Sequence, residues 1–348
     1  MSEEFIMRSK KDQTISLMKR PNKKNILITG GAGFIGSVLT FYLKKNFNIY
    51  VIDDLSIGRK SVVRTKNFVK LNIINKKKLD FFFQKNRIDI VIHLAGHSNL
   101  RESQKKPQKY INNNIIGTKI LIDCIIKHKI KKVIFSSTAS VYGSPKKIPI
   151  LETSQTKPIS IYGKTKLKAE KYIINKSKKN FKYIIFRFFN IAGALNKAKL
   201  GEIKNPPAHF IPIAIRKILS NKKVIIFNKF NTKDGSGLRD YIHVKDVAKA
   251  HQKAISYMNL TSSKSLVINL GSKKSISTIE LVDYLSRFFR KKIKIKLKNR
   301  KHGEPDILNA SFAFAKKKIK WFPREKMFSI IKDSIWWEKY IKKNKLFC

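Results

Sequence analysis

Residues Thr29 to Ser37 read TGGAGFIGS, directly behind the apolar run NILI (25–28) and directly ahead of VLTFYLKK (38–45). Gly30, Gly31, Gly33 and Gly36 satisfy both G-x-x-G-x-x-G (30, 33, 36) and G-x-G-x-x-G (31, 33, 36). Both patterns answer one need: free φ for a tight turn, no side chain where backbone meets a pyrophosphate, and close packing of helix on strand. Amides at the helix start then face the phosphates. Glycines between a strand and a helix can also be a turn and nothing more, so the motif takes its weight from its surroundings. It follows a strand-like run, opens a helix-like run, and is answered by Asp53 at the end of the second strand-like run, in YVIDDLS (50–56). A carboxylate there accepts from a ribose 2′-OH and repels a 2′-phosphate, which favours NAD; Arg59 nearby keeps NADP as the lesser alternative.

Working outward, short apolar runs alternate with helix-length amphipathic segments as far as Asn190. The runs are NILIT (25–29), NIYVID (48–53), NFVKLNI (67–73), IDIVIHLA (88–95), KKVIFSS (131–137) and KYIIFRFFN (182–190). Mostly apolar runs of this length suit strands buried on both faces. Segments 37–46, 76–86, 110–129 and 164–180 carry apolar residues at helical spacing between them. Strand and helix taking turns predict an α/β fold with a Rossmann-like, doubly wound parallel sheet. Beyond Asn190 the regularity breaks into turn-rich KNPPAHFIP (204–212) and FNTKDGSGLRD (230–240), with amphipathic helices expected over 244–258, 277–291 and 327–343. This is a smaller mixed α/β lobe for a substrate, in which Trp336 and Trp337 read as packing residues. The expected division is a basic N-terminal extension (1–24), a dinucleotide-binding domain (25–190) and a substrate domain (191–348).

The chain has 348 residues, enough for one large α/β unit or two coupled lobes. No apolar run approaches the roughly 20 residues needed to span a bilayer, and the first two dozen residues do not read as a secretory signal. Cys124 and Cys348 form no disulfide framework, and the histidines at 93, 97, 128, 243, 251 and 302 show no metal-ligand spacing. The expectation is a cytoplasmic protein with no metal. The abnormal quantity is a formal net charge of +54. Lysines are spread through every segment rather than gathered in one block, and KKIKIKLK (291–298) reads as a strand with lysine on its wet face. Abundant Lys, Asn and Ile together fit drift toward AT-rich codons. A charge of this size suits a polyanionic partner, but its even spread makes a nucleic-acid binder the lesser reading and leaves the field to help attract a diphosphate.

SSTASVYG (136–143) ends the fifth run, and IYGKTKLKAE (161–170) opens the next helix. Tyr162 and Lys166 lie one helical turn apart, on one face. A phenol near its usual pKa of about 10 is a poor base at neutral pH, but an adjacent ammonium and a cationic nicotinamide favour the phenolate. Such a phenolate removes a hydroxyl proton as hydride leaves carbon, and the Thr138 hydroxyl holds the same oxygen. Y-x-x-x-K is also common on helix surfaces; its place one helix after a strand ending in SST favours chemistry.

TGGAGFIGS, SSTASVYG, YGKTK and FRFFNIAGA together resemble the extended short-chain dehydrogenase/reductase superfamily. Within it, DGSGLRDYIHVKDVA (234–248) resembles the UDP-glucose 4-epimerase branch. The resemblance covers the chain from Asn25 to the last helix and implies NAD as cofactor, a UDP-sugar as substrate and a homodimer as the assembly. It implies that Gly30, Gly33, Phe34, Ile35 and Gly36 cover the pyrophosphate, that Asp53, Asp54, Leu55, Ser56 and Gly58 face the adenosine, and that Asn72 and Ile73 face the adenine. Leu94, Ala95, Gly96, Ser98 and Asn114 would line the NAD channel, with Phe189 beside the nicotinamide. Thr138, Tyr162 and Lys166 would be the catalytic trio and touch the cofactor, with Thr138 and Tyr162 also touching the sugar. Asn190, His209, Ile225 to Phe227, Arg239, Lys301, Glu304 and Leu308 would hold the UDP-sugar. A guanidinium such as that of Arg239 suits a diphosphate. The chain departs from the family pattern at Ser98, where relatives often have lysine, and at Asn72, Lys301 and Glu304, where they have Asp, Arg and Asp. His209 stands for an asparagine seen in some relatives.

Dehydratases of this superfamily carry Asp-Glu directly after the SST threonine, because eliminating water requires an added acid and base. Here Ala139 and Ser140 stand at those positions. The expected reaction is reversible C4 oxidation: Tyr162 takes the O4 proton, NAD+ takes the hydride, the 4-keto sugar rotates, and hydride returns to the other face. UDP-glucose and UDP-galactose are the first expectation; another UDP-sugar (an N-acetylhexosamine, a pentose or a uronic acid) is the alternative, since Leu308 is smaller than a tyrosine at a position facing the 2-substituent. A non-catalytic dinucleotide sensor is the reading from a different class, opposed by the presence of both Tyr162 and Lys166.

Overall fold

The computed structural model describes residues 23–300 and 304–346; the expectations for residues 1–22 and for Lys301 lie outside these. The strands in chain order are β1 (Asn25–Thr29), β2 (Asn48–Asp53), β3 (Asn67–Lys70), β4 (Ile90–His93), β5 (Lys132–Thr138) and β6 (Lys182–Phe188). They continue as β7 (Asn190–Ala192), β8 (Val224–Asn228), β9 (Leu238–His243), β10 (Leu266–Leu270), β11 (Ser275–Ser277), β12 (Ile295–Asn299) and β13 (Ile307–Leu308). Seven of them form one parallel sheet in the order β10-β6-β5-β4-β1-β2-β3. The chain leaves β1 toward β2 and β3, then crosses back to β4, so the strand order reverses between β1 and β4. Ligands of doubly wound folds bind in the crevice at that reversal, beyond the carboxyl ends of the strands.

Alternation along each strand explains why the runs had to be apolar throughout. On β1, Ile26 and Ile28 enter one core while Leu27 enters the other; on β4, Ile90 and Ile92 divide from Val91 in the same way. Every one of these six side chains is fully buried. Each strand contributes to two helix layers at once, which only an unbroken apolar run can do.

Part of one of those layers comes from beyond Asn190. Val244, Val247, Ala248 and Trp337 share a core with Ile26 and Ile28, and β10 pairs with β6 as the seventh strand. Within residues 25–190 the helix Phe34–Leu43 supplies Val38, Leu39 and Leu43 to that core, and the later residues complete it. The later residues also build a sheet in which β9 is paired by β7, β11 and β13, and a two-stranded β8-β12 ribbon.

Two local expectations are corrected. The basic alternation 291–298 becomes a strand only from Ile295, and all five of its residues are exposed, Ile295 and Leu297 included. A two-stranded ribbon with no layer over this strand has no dry face to offer. The segment 110–129 is not one continuous α-helix: Ile111–Gly117 is π-helical and α-helix resumes at Thr118–Lys127. Such π turns are frequent at functional sites, and this one carries Asn113 and Asn114. The helices at 244–258 and 327–343 stand where the periodicity put them.

Candidate active site

The glycine turn closes on backbone contacts that no side chain could share. Gly30 sits at φ +72°, and a Cβ there would lie 2.6 Å from the Ala95 amide nitrogen; one on Gly36 would lie 2.4 Å from the Gly30 carbonyl oxygen. The turns after β1 and β4 thus touch, and the helix Phe34–Leu43 starts directly against them. Asp53 locks this corner, its carboxylate accepting from the Ala32 amide at 3.0 Å and the Leu55 amide at 2.8 Å. Burial pushes its pKa up, against those two donors. Asp54 accepts from the Ser56 amide and hydroxyl and from Asn72 Nδ2 at 2.9 Å, so Asn72 completes the rim through a carboxylate.

One cavity runs from this turn along the reversal of the sheet. Its walls include Gly30, Gly33, Phe34, Ile35, Gly36, Asp53, Asp54, Ser56, Gly58, Asn72, Ile73, Leu94, Ala95, Gly96, Ser98, Tyr162, Lys166 and His209. Leu55, Asn114, Thr138 and Phe189 are not on the wall. Asn114 instead acts on it: Oδ1 accepts from the His97 amide at 2.9 Å, and Nδ2 donates to the His97 carbonyl at 3.0 Å and to Thr165 Oγ1 at 3.2 Å. This side chain pins the Gly96–His97 wall to the helix that carries Tyr162. Phe188 lines the cavity, whereas its neighbour Phe189 turns into a cluster with Tyr142 and Leu308.

At the other end stand Tyr162 and Lys166, on the helix Ile161–Ser177, whose start is capped by Ser160 accepting from the Gly163 amide at 3.0 Å. Thr138, at the end of β5, lies beside the Tyr162 phenol, and its hydroxyl donates to Ser140 Oγ at 3.2 Å. Lys166 is 5% exposed, with Nζ 4.5 Å from the centre of the Phe135 ring. Burial pushes the Tyr162 phenol up to about 12, with the Thr138 side chain pulling down. Burial likewise pushes Lys166 down to about 7, opposed by the charge of Glu170. The sequence argument had the ammonium lowering the phenol; in the protein alone, loss of water outweighs it. Glu170 is fixed in turn by Arg187 at 2.8 Å and by the Ser137 hydroxyl.

The remaining expected residues gather at the second sheet and ribbon, off the cavity wall. Arg239 donates to the Leu238 and Asp306 carbonyls and lies 4.0 Å from Glu304. Arg101, from the first lobe, pairs with Glu304 at 3.2 Å and stacks 4.4 Å over the Phe227 ring. Ile225 is half-buried on the ribbon, and the side-chain nitrogen Nδ2 of Asn190 is buried without a hydrogen-bond partner. Leu308 is 9% exposed and packs in the Phe189 cluster. His209 Nδ1 meets Glu202 at 2.8 Å, and that carboxylate raises its pKa.

Sequence reasoning did not find Arg101, Asn113, Glu202 or Lys204, all but the first on the cavity wall, and it placed His97 in the channel only as part of the run 94–98. A chain with 76 lysines and arginines gives no single cation a signal. The turn-rich segment that holds Glu202 and Lys204 was visible as a turn and not as a wall.

A dinucleotide fits the residues present. A Cβ would fill the cradle at Gly30 and Gly36, and the His97 Nδ1 and Asn113 Oδ1 atoms on the wall are buried with no partner in the protein. Among the described residues no three His, Cys, Asp or Glu side chains converge on a metal position. A parallel doubly wound sheet, a glycine turn at its reversal and a Tyr–Lys pair at the far end of the same cavity define a dinucleotide-binding protein of the short-chain dehydrogenase/reductase type.

Comparison with known proteins makes this particular. The profile of the NAD dependent epimerase/dehydratase family matches residues 26–271, and the chain belongs to that family. The UDP-glucose 4-epimerase of Halalkalibacterium halodurans is 36% identical over 319 residues, covering 90% of this chain and 95% of its own. The structure of UDP-glucose 4-epimerase from Brucella ovis in complex with NAD is similar at a TM-score of 0.85 and 33% identity, covering 89% of this chain and 97% of that one. The enzyme from Stenotrophomonas maltophila, with bound NAD and formylated UDP-arabinopyranose, is similar at a TM-score of 0.88 and 28% identity, covering 92% and 99%.

Proposed function

We propose that the chain is an NAD-dependent isomerase that epimerises C4 of a UDP-sugar, in the first place UDP-glucose and UDP-galactose in galactose metabolism. The observation that carries the reading is the placing of Tyr162 and Lys166, one helical turn apart on the helix Ile161–Ser177, at the end of the glycine-turn cavity. The near full-length similarity to UDP-glucose 4-epimerases supports it.

NAD supplies, when bound, reversible oxidation at C4, and the glycine turn, Asp53 and the 94–98 wall would hold it. Tyr162 takes the proton from O4 and later gives it back, with Thr138 holding the same oxygen. Lys166, as ammonium, favours the phenolate over the phenol. Ala139 and Ser140 supply no acid and base for eliminating water, so the 4-keto sugar has one way forward: to turn over and be reduced on its other face. Residues 25–190 would serve the dinucleotide. Asn190, His209, Ile225, Phe227, Arg239, Lys301, Glu304 and Leu308 would serve the UDP-sugar.

A second reading, another UDP-sugar, draws on Leu308, which leaves more room than tyrosine beside the sugar's 2-substituent. We also assign the protein to the cytoplasm as a homodimer joined by the helices around 110–128 and 162–177; among the described residues no helix is long and apolar enough to cross a membrane. The test is to denature purified protein, measure released NAD, and assay the intact enzyme on a panel of UDP-sugars. Stoichiometric NAD and conversion of UDP-glucose are expected. Conversion of UDP-N-acetylglucosamine alone would move the assignment to the second reading, and conversion of none would overturn both.

A further inference from the structure

We propose that Lys204 is the cation for the pyrophosphate of the dinucleotide, the charge that Ser98 does not provide. The inference rests on the reading of the cavity as an NAD site. A dinucleotide pyrophosphate brings two negative charges, whereas the N-terminus of a helix offers roughly half a positive one. Among the described residues, Lys166 and Lys204 are the two lysines on the cavity wall, which carries no arginine. Lys166 is committed to the reacting end, buried against Phe135. Ser98, exposed on the same wall, has no charge to give.

The loop that carries Lys204 is built to hold it in place. Gly201 packs flat on the Trp337 indole, where a Cβ would lie 2.5 Å from the ring, and Trp337 Nε1 donates to the Glu202 carbonyl at 2.7 Å. The Glu202 carboxylate then anchors His209 at 2.8 Å. Glu202 also faces Phe34, the first residue of the helix behind the glycine turn, across a small second void. The loop therefore stands opposite the phosphate-covering turn.

Electrostatic contacts locate the ammonium further. His97, next to Ser98, is faced by Lys109, Glu102, Asp54 and Lys204, and of the two cations Lys109 is held by Glu102 at 2.8 Å. Half-buried, Lys204 is pushed below the usual lysine range by lost water, while Glu102 and Glu202 favour its charged form. Among the described residues it forms no salt bridge within 4 Å. A half-buried ammonium on a pinned loop, facing a cavity, is placed to gain most from an anion with several oxygens. Arg239, expected to meet the diphosphate of the UDP-sugar, does not line this cavity, so the dinucleotide is the source we assign.

The experiment is calorimetric titration of cofactor-depleted protein with NAD, ADP-ribose and UDP, for wild type, Lys204→Ala and Lys204→Ala with Ser98→Lys. Lys204→Ala should weaken NAD and ADP-ribose about tenfold, the scale of one charge-assisted contact. UDP should stay within twofold and the thermal midpoint should not move. Ser98→Lys should restore NAD to within threefold, which a merely structural role for Lys204 would not allow. If the thermal midpoint falls, Lys204→Gln replaces alanine in the same series. NAD affinity within twofold of wild type, a loss confined to UDP, or no rescue by Ser98→Lys would each overturn the proposal. A wild-type protein that binds no NAD would instead remove the functional reading beneath it.

Discussion

The two ends of the cavity are held by different kinds of contact. At the adenosine end, backbone does the work: glycines in close approach, and a carboxylate clamped between the Ala32 and Leu55 amides. At the reacting end, ionisable side chains are held dry, with Tyr162 pushed up to about 12 and Lys166 down to about 7. The first end is shaped to recognise, and its groups are satisfied before anything binds. The second shifts a phenol and an amine from their ordinary pKa values, a condition typical of groups that move protons. Recognition and chemistry should therefore be separable by mutation.

The sharpest separation is Tyr162→Phe. Loss of the phenol should lower kcat by about a thousandfold or more, within the range for removing a general acid–base group, with the NAD content of the purified protein unchanged. A fall in kcat below tenfold would move the proton chemistry to another residue.

Next is the stability cost of the reacting end. A lysine held at about 7 in the fold and about 10.4 unfolded binds fewer protons when folded, so stability rises with pH between those values. Lys166→Met should thus be more stable than wild type at pH 7, by on the order of a few kcal/mol, and lose that advantage by about pH 10. Urea midpoints at the two pH values check this; equal midpoints at pH 7 would mean that the ammonium is not strained.

The opposite variant is Asp53→Ala. The buried Ala32 amide and the part-buried Leu55 amide lose the acceptor that shapes this corner, at a cost of about 1–3 kcal/mol, so NAD should bind about ten- to hundredfold more weakly while kcat at saturating NAD stays within about threefold. If kcat falls as far as affinity, the ends are not independent. The smallest effect is expected at Arg101→Ala. Its exposed stacking on Phe227 is worth about 0.5–1 kcal/mol, and KM for the UDP-sugar should rise about two- to fivefold.

The same contrast explains what could be read from the amino acids. The adenosine end was legible because close approach of backbone demands glycine, and glycine at fixed spacing is visible. Tyr162 and Lys166 were legible because a helix puts i and i+4 together. Asn114 was legible as a position and not as a role, because a clamp on the His97 backbone depends on two loops meeting. Phe188 and Phe189 were exchanged for a simpler reason: neighbouring residues at a strand end face opposite ways, and the sequence does not show which way the strand is turned. Arg101 and Lys204 were hidden among many cations. The seventh strand was missed because β10 returns to the first sheet after the regular alternation has stopped.

The central claim is that the sugar leaves the site carrying the hydrogen it brought. UDP-glucose labelled with deuterium at C4 should be converted, in ordinary water, to UDP-galactose that keeps the deuterium at C4, with label loss below a few percent per turnover as read by NMR or mass spectrometry. Appearance of solvent hydrogen at C4 in step with turnover would contradict the account, since it would require a base acting on carbon rather than on O4.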